Sequence, residues 1–252
     1  MDTKLIHPDR GYYKEIVNST NLEIHSPDYP SGSYLVAGEQ TSGKGRGDHK
    51  WESLGFNNLF FSSKIELSIN QLSPIPLISL LIGGAVLRTL HSLQPDRADK
   101  ILLKWSNDIF LDGNKIGRIL IETYIQGKNL ELILGIGINL YNSKKDEFSY
   151  SSLFPAEPDE AFRKKMISLL ITELNTSLNK WISNDHSESL EFISKYSYLF
   201  HKEVSTEING EIITGKAIGY TGEGYLIIQS NEKLFELHDT INNFKILTGT
   251  EE

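Results

Sequence analysis

The densest chemistry in the chain lies in Gln40-Thr41-Ser42-Gly43-Lys44-Gly45-Arg46-Gly47-Asp48-His49-Lys50-Trp51. Glycines let backbone N–H groups come close to an anion, and the interleaved cations Lys44, Arg46 and Lys50 neutralise it. Trp51 offers a flat surface for a purine, or a side chain that folds the loop over a ligand. A solvated, flexible loop is the competing reading. The run is not a P-loop, because the Gly-Lys-Ser/Thr ending is missing.

Three further groups could carry chemistry. Lys104-Trp105-Ser106-Asn107-Asp108 puts an amide and a carboxylate at the end of a predicted strand, where they suit a nucleotide, a metal or an ordinary turn. Lys115 opens the strand Ile116-Gly117-Arg118-Ile119-Leu120, a place where a lone lysine is usually a solvated edge residue. Gly135-Ile136-Gly137-Ile138-Asn139 interrupts a β-forming run with glycines, which marks close approach of a ligand or another backbone. No helix follows it, so it is not a dinucleotide fingerprint.

The elements that must position these groups follow from periodicity and turn chemistry. Ile65–Ile69 alternates as a strand after Leu59-Phe60-Phe61. A buried helix is predicted from Pro76 to about Leu93; its uncharged core is too short and too proline-flanked for a membrane span. Residues 101–111 read as one strand, closed by the hairpin signal Asp112-Gly113-Asn114, with a return strand over 115–124 and another strand over 130–140. An amphipathic helix is expected over 159–182, with Phe162, Met166, Leu170, Leu174, Leu178 and Trp181 as its stripe, and a second helix over 189–200. After His201, short strands alternate with turns such as Asn209-Gly210 and Gly222-Glu223-Gly224. The expected fold is therefore α+β, a mixed β-sheet with flanking helices over 1–200, plus a small β-barrel over 201–252.

Composition bounds the rest. The chain has 252 residues, 39% hydrophobic and 23% charged, enough for a sizeable core. It has no cysteine, which excludes disulfides, thiolate metal sites and Cys nucleophiles and fits a cytoplasmic location. The net charge of −8 argues against non-specific nucleic-acid binding. No signal-peptide pattern opens the chain.

Taken together, in order and spacing, the motifs resemble the biotin–protein ligase family. That family shows Ser-Thr-Asn, here Ser19-Thr20-Asn21, then a Gln and a Gly-Arg-Gly-Arg loop ending in Trp, a Lys-Trp-Pro-Asn-Asp segment, a Lys-x-x-Gly-Ile-Leu strand and Gly-x-Gly-x-Asn. The chain departs from the pattern at Lys44, at Ser106, at Arg118 in place of Gly, and in a less basic loop at Gly47-Asp48-His49. The resemblance implies an ATP-dependent enzyme that activates biotin as biotinyl-5′-AMP and transfers it to a lysine of a biotin carboxyl carrier protein. It implies that Ser19, Thr20, Asn21 and Gln40 recognise the ureido ring, and that Lys44, Gly45 and Arg46 hold the carboxylate. Lys115 and Arg46 become the catalytic candidates, and Lys115 is counted with the biotin-binding residues as well. Gly43, Trp51, Asn107, Asp108 and Asn139 fall to the nucleotide, with Asp108 also the candidate ligand for magnesium. A monomer or a homodimer is expected, with no DNA or membrane partner, since the leading segment before Ser19 is too short for a helix-turn-helix. Lipoate or octanoate enzymes of the same fold, and a non-catalytic biotin sensor, are the alternatives.

Strand alternation sets one further expectation. Lys115, Gly117 and Ile119 should share one face, and Arg118 should point away from the ligand on the other; a bulge at Gly117 would reverse this.

Overall fold

The computed structural model describes residues 4–44, 50–51, 57–68, 74–141, 151–208, 210–238 and 244–247. In chain order they form β1 (Gly11–Val17), α1 (Thr20–Ile24), β2 (Tyr34–Gln40), β3 (Gly43–Lys44), β4 (Lys50–Trp51), β5 (Asn58–Ser68) and α2 (Ile75–Leu93). There follow β6 (Ile101–Lys104), β7 (Asp108–Leu111), β8 (Asn114–Gln126), β9 (Asn129–Asn139), α3 (Glu160–Ile182) and α4 (Ser187–Lys195). The last segment holds β10 (Glu203–Ile208), β11 (Glu211–Tyr220), β12 (Leu226–Ser230), β13 (Lys233–Leu237) and β14 (Lys245–Ile246).

The main sheet runs β1-β2-β5-β9-β8-β7-β6. It is mixed because β1 pairs with β2 in parallel while the other ladders are antiparallel. Local chemistry sets its turns. Asp112 and Gly113 both take positive φ, 49° and 77°, as a two-residue I′-type hairpin requires between β7 and β8. Gly127, at φ 61°, turns β8 into β9.

The two faces of the sheet differ. On one, Leu59, Phe61, Leu132, Leu134 and Ile119 pack against α2 and α3 in a single apolar cluster. Leu77, Ile78, Leu81, Val86 and Leu90 of α2 are fully buried there, so this helix, long and apolar enough to cross a membrane, spends its apolar surface inside the protein. The α3 stripe expected from periodicity is buried at Met166, Leu170, Leu174, Leu178 and Trp181, and Asp159 caps the helix by accepting from Phe162 N at 2.7 Å. On the other face α1 covers only part of the sheet, through Ile24, Tyr29, Leu35 and Ile133. The uncovered remainder, over β5, β9 and β8, is where a ligand can lie.

Three expectations change. Residues 101–111 are two strands, not one, because Trp105-Ser106-Asn107 folds β7 back antiparallel on β6. The helix predicted to Phe200 ends at Lys195; the chain then runs beside β6, with Leu103 N donating to Tyr196 O and Tyr198 N to Leu103 O. The barrel is a five-stranded antiparallel sheet, β13-β12-β11-β10-β14, and no pairing joins β13 to β14 among the described residues. The two-residue β14 pairs with Val204 and Ser205 of β10. This sheet shares the main core: Val204, Ala217, Leu226 and Ile228 belong to the α2–α3 cluster, and Trp105 Nε1 donates to Gly224 O at 2.9 Å.

Candidate active site

The uncovered face carries a cleft of about 360 Å³, open mouth included, lined by Ser19, Thr20, Asn21, Gln40, Arg118, Leu120, Gly135, Ile136 and Gly137. Its wall is the start of α1. Thr20 N donates to Gln40 Oε1 at 2.7 Å, which fixes the orientation of that amide and leaves its NH₂ group as a donor. Asn21 Oδ1 accepts from Ser62 Oγ at 2.6 Å, and Asn21 Nδ2 donates to Glu122 Oε2 at 2.8 Å. Ser62 Oγ also lies 2.7 Å from Thr20 Oγ1. The Thr20 hydroxyl in turn donates to Gln40 Oε1 at 3.1 Å, so Ser62, Thr20, Asn21 and Gln40 form one connected hydrogen-bonded group. The result is a buried, fixed row of donors and acceptors.

Gly135 explains why the row sits so low on the sheet. A Cβ there would lie 2.2 Å from Asn21 Oδ1, so only glycine lets Asn21 rest on β9. The glycine run of β9 therefore serves a close approach, and the group that approaches Gly135 is the protein's own Asn21.

The other end of the cleft is ionic. Asp108 opens β7, and its Oδ1 takes Lys115 Nζ at 2.6 Å and Arg118 Nε at 2.9 Å. Both cations come from β8, and they reach one oxygen because of a bulge. Ile109 pairs with Gly117 but Phe110 pairs with Lys115, which leaves Ile116 as an extra residue. The alternation expected along 115–120 is thereby reversed: Lys115 and Arg118 share the cleft face with Leu120, while Ile116 and Ile119 enter the core. Arg118 does not point away from the site. Burial would raise the Asp108 carboxyl, but Arg118 and Lys115 outweigh it and hold the group below the ordinary carboxylate value. Burial pulls the Lys115 ammonium below its ordinary value, with Asp108 opposing.

The hairpin β3–β4 pairs Gly43 with Trp51 and Lys44 with Lys50. Thr41 N donates to Val17 O and Ser42 N to Asn18 O, which lays the entry to this hairpin beside Ser19. Gly45 and Arg46 lie outside the described residues.

Residues 13–139 match the model of the Biotin/lipoate A/B protein ligase family. The chain belongs to this family. It is 25% identical to the bifunctional ligase/repressor BirA of Bacillus spizizenii, over 90% of this chain and 71% of that protein. It is 27% identical to the Escherichia coli BirA, over 86% and 68%. It is 25% identical to the biotin–[acetyl-CoA-carboxylase] ligase of Mycobacterium tuberculosis, over 78% and 73%. In fold it matches a biotin protein ligase from Aquifex aeolicus in complex with biotin and ATP, at TM-score 0.78 and 23% identity, covering 94% of this chain and 99% of that one.

Within this family setting, the structure gathers Ser19, Thr20, Asn21 and Gln40 with Arg118 around one cleft, and Lys115 meets Arg118 at Asp108. Two nucleotide candidates make hydrogen bonds within the protein. Asn107 Nδ2 donates to Ile119 O and Ile119 N to Asn107 O, both at 2.8 Å, which clamps the β6–β7 turn onto β8. Asn139 Nδ2 donates to Ser151 O at 3.3 Å. Asp108, the candidate for magnesium, has its Oδ1 held by the two cations Lys115 and Arg118. Ser62 and Glu122 were missed in the sequence. The available signals were a serine pair inside the apolar run of β5 and a carboxylate on the same strand face as Arg118.

Proposed function

We propose that this chain is a biotin–protein ligase that joins biotin to ATP, releases pyrophosphate, and passes the acyl group from biotinyl-5′-AMP to one lysine of a biotin carboxyl carrier protein. The observation that carries this reading is one cleft with a fixed row of neutral donors and acceptors at one end and paired cations at the other. Biotin has the matching polarity: a ureido ring with two N–H donors and a carbonyl, joined by an apolar chain to a carboxylate. Gln40 NH₂ and the Ser19 hydroxyl would meet the ring, and Leu120 lines the same cleft.

In the first step a carboxylate oxygen attacks the α-phosphorus and pyrophosphate leaves with its bonding pair. Two anions must approach, so the cation of Lys115, held by Asp108, lowers their repulsion and stays beside the charge that develops on the phosphoryl oxygens. Magnesium would enter with the nucleotide substrate and offset the charge of its phosphates. In the second step the carrier's neutral lysine amine attacks the acyl carbon, AMP departs, and the amine loses one proton to give the amide.

The test is to incubate the protein with biotin, ATP, magnesium and a carrier domain and to look for the mass of one biotin on a single carrier lysine. Modification with lipoate but not biotin would replace this reading by the lipoate one. Biotin binding without pyrophosphate release would replace it by a sensor.

A further inference from the structure

Arg118 stands where the family pattern usually has Gly, and the bulge at Ile116 brings it into the cleft. Its Nε donates to Asp108 Oδ1, an oxygen that Lys115 Nζ already reaches at 2.6 Å. One carboxylate is thus shared by two cations, and the group carries a net charge of +1 while largely buried: the side chains of Asp108, Arg118 and Lys115 are 18%, 20% and 31% accessible. A surplus charge so poorly solvated is costly unless an anion joins it. Neutralising Asp108 needs only Lys115, so that task does not account for Arg118.

The geometry points the same way. Because Arg118 is held through Nε, its terminal Nη1 and Nη2 have no acceptor among the described residues. Its partner across the ladder is Gly137, so no side chain stands directly opposite it on β9. An Nη1/Nη2 pair is the planar fork that takes a carboxylate through two parallel hydrogen bonds. We propose that Arg118 is a substrate-binding residue whose fork receives the carboxylate of the acid to be activated, beside Lys115. This rests on the ligase reading, which supplies an acid substrate. It makes the cleft selective for free acids over neutral derivatives before ATP arrives.

The experiment is calorimetric titration of biotin and of its uncharged methyl ester, without ATP, into the parent, Arg118→Gln and Arg118→Lys. Arg118→Gln should bind biotin at least tenfold more weakly than the parent and bind the ester within about twofold of it, with Arg118→Lys intermediate for biotin. Equal biotin affinity in the parent and Arg118→Gln, in a parent that still biotinylates the carrier, overturns this inference and leaves the ligase reading intact. An equal loss for acid and ester also overturns it, because that is the signature of a merely structural arginine. A parent that binds neither ligand and modifies no carrier overturns both. If Arg118→Gln does not fold, the comparison of the parent with Arg118→Lys decides, since a fork role predicts that lysine loses affinity for the acid alone.

Discussion

Replacing Gly135 by Ala tests whether the polar row depends on its contact with the sheet. The new Cβ would stand 2.2 Å from Asn21 Oδ1 and 2.9 Å from Asn21 Cγ and Nδ2, all inside van der Waals contact. Asn21 is buried and cannot swing into solvent. Moving it stretches the bond from Ser62 and the charge-assisted bond to Glu122. At about 1 kcal/mol for a neutral hydrogen bond and about 2 for a charged one, the loss is about 3 kcal/mol, within the range of overpacking costs. Urea unfolding should show this as a lower midpoint, and biotin affinity should fall in parallel because Asn21 lines the cleft. The cause is isolated by repeating the change in an Asn21→Ala background, where all three contacting atoms are gone. There Gly135→Ala should cost less than about 0.5 kcal/mol, giving a coupling of more than about 2 kcal/mol. A Gly135→Ala protein of parental stability and affinity, or an equal cost in both backgrounds, would refute the reasoning.

Three more outcomes follow from the same geometry. Lys115 has a lowered proton affinity, so its charge is lost at a lower pH than an ordinary lysine's; pyrophosphate release should decline on the alkaline side below the usual value of 10.5, and Lys115→Arg, which stays charged, should push that decline upward. Asp108→Asn should leave Lys115 and Arg118 facing each other and cost about 2 kcal/mol, a figure reduced for their partial exposure. Because the folded carboxyl titrates below its ordinary 3.8, this difference should be full at neutral pH, begin to shrink below 3.8 and vanish below the folded value, as read from urea midpoints across pH. Gly224→Ala should destabilise by about 3 kcal/mol in thermal or urea unfolding, since φ is 88° and the Cβ would lie 2.7 Å from Leu77 Cα. Parental stability there would show that the turn does not bear on α2.

What could be read from the residues alone was whatever depends on near neighbours in the chain. Asp112-Gly113 specified its hairpin because both positions need left-handed φ, and the 3.6-residue stripe specified α3 because one face of a helix must be apolar to be buried. The glycine at 135 announced a close approach without saying what approaches. The order of Ser19-Thr20-Asn21, Gln40, Lys115 and the β9 glycines carried the family resemblance. Trp105, inside a motif read for chemistry, instead ties the β6–β7 turn to Gly224, 119 residues away.

Tertiary structure decided the rest, and it did so wherever the outcome depends on a second strand. Alternation counts residues along one strand, but a bulge is set by the register of its partner; only the β7–β8 pairing shows that Ile116 is the extra residue and that Lys115 and Arg118 meet at Asp108. Ser62 and Glu122 look like ordinary strand residues until Asn21, 41 and 101 positions away, lies between them. A hydrogen bond across such separations leaves no periodic trace in the chain, because what it requires is position in space rather than spacing in sequence.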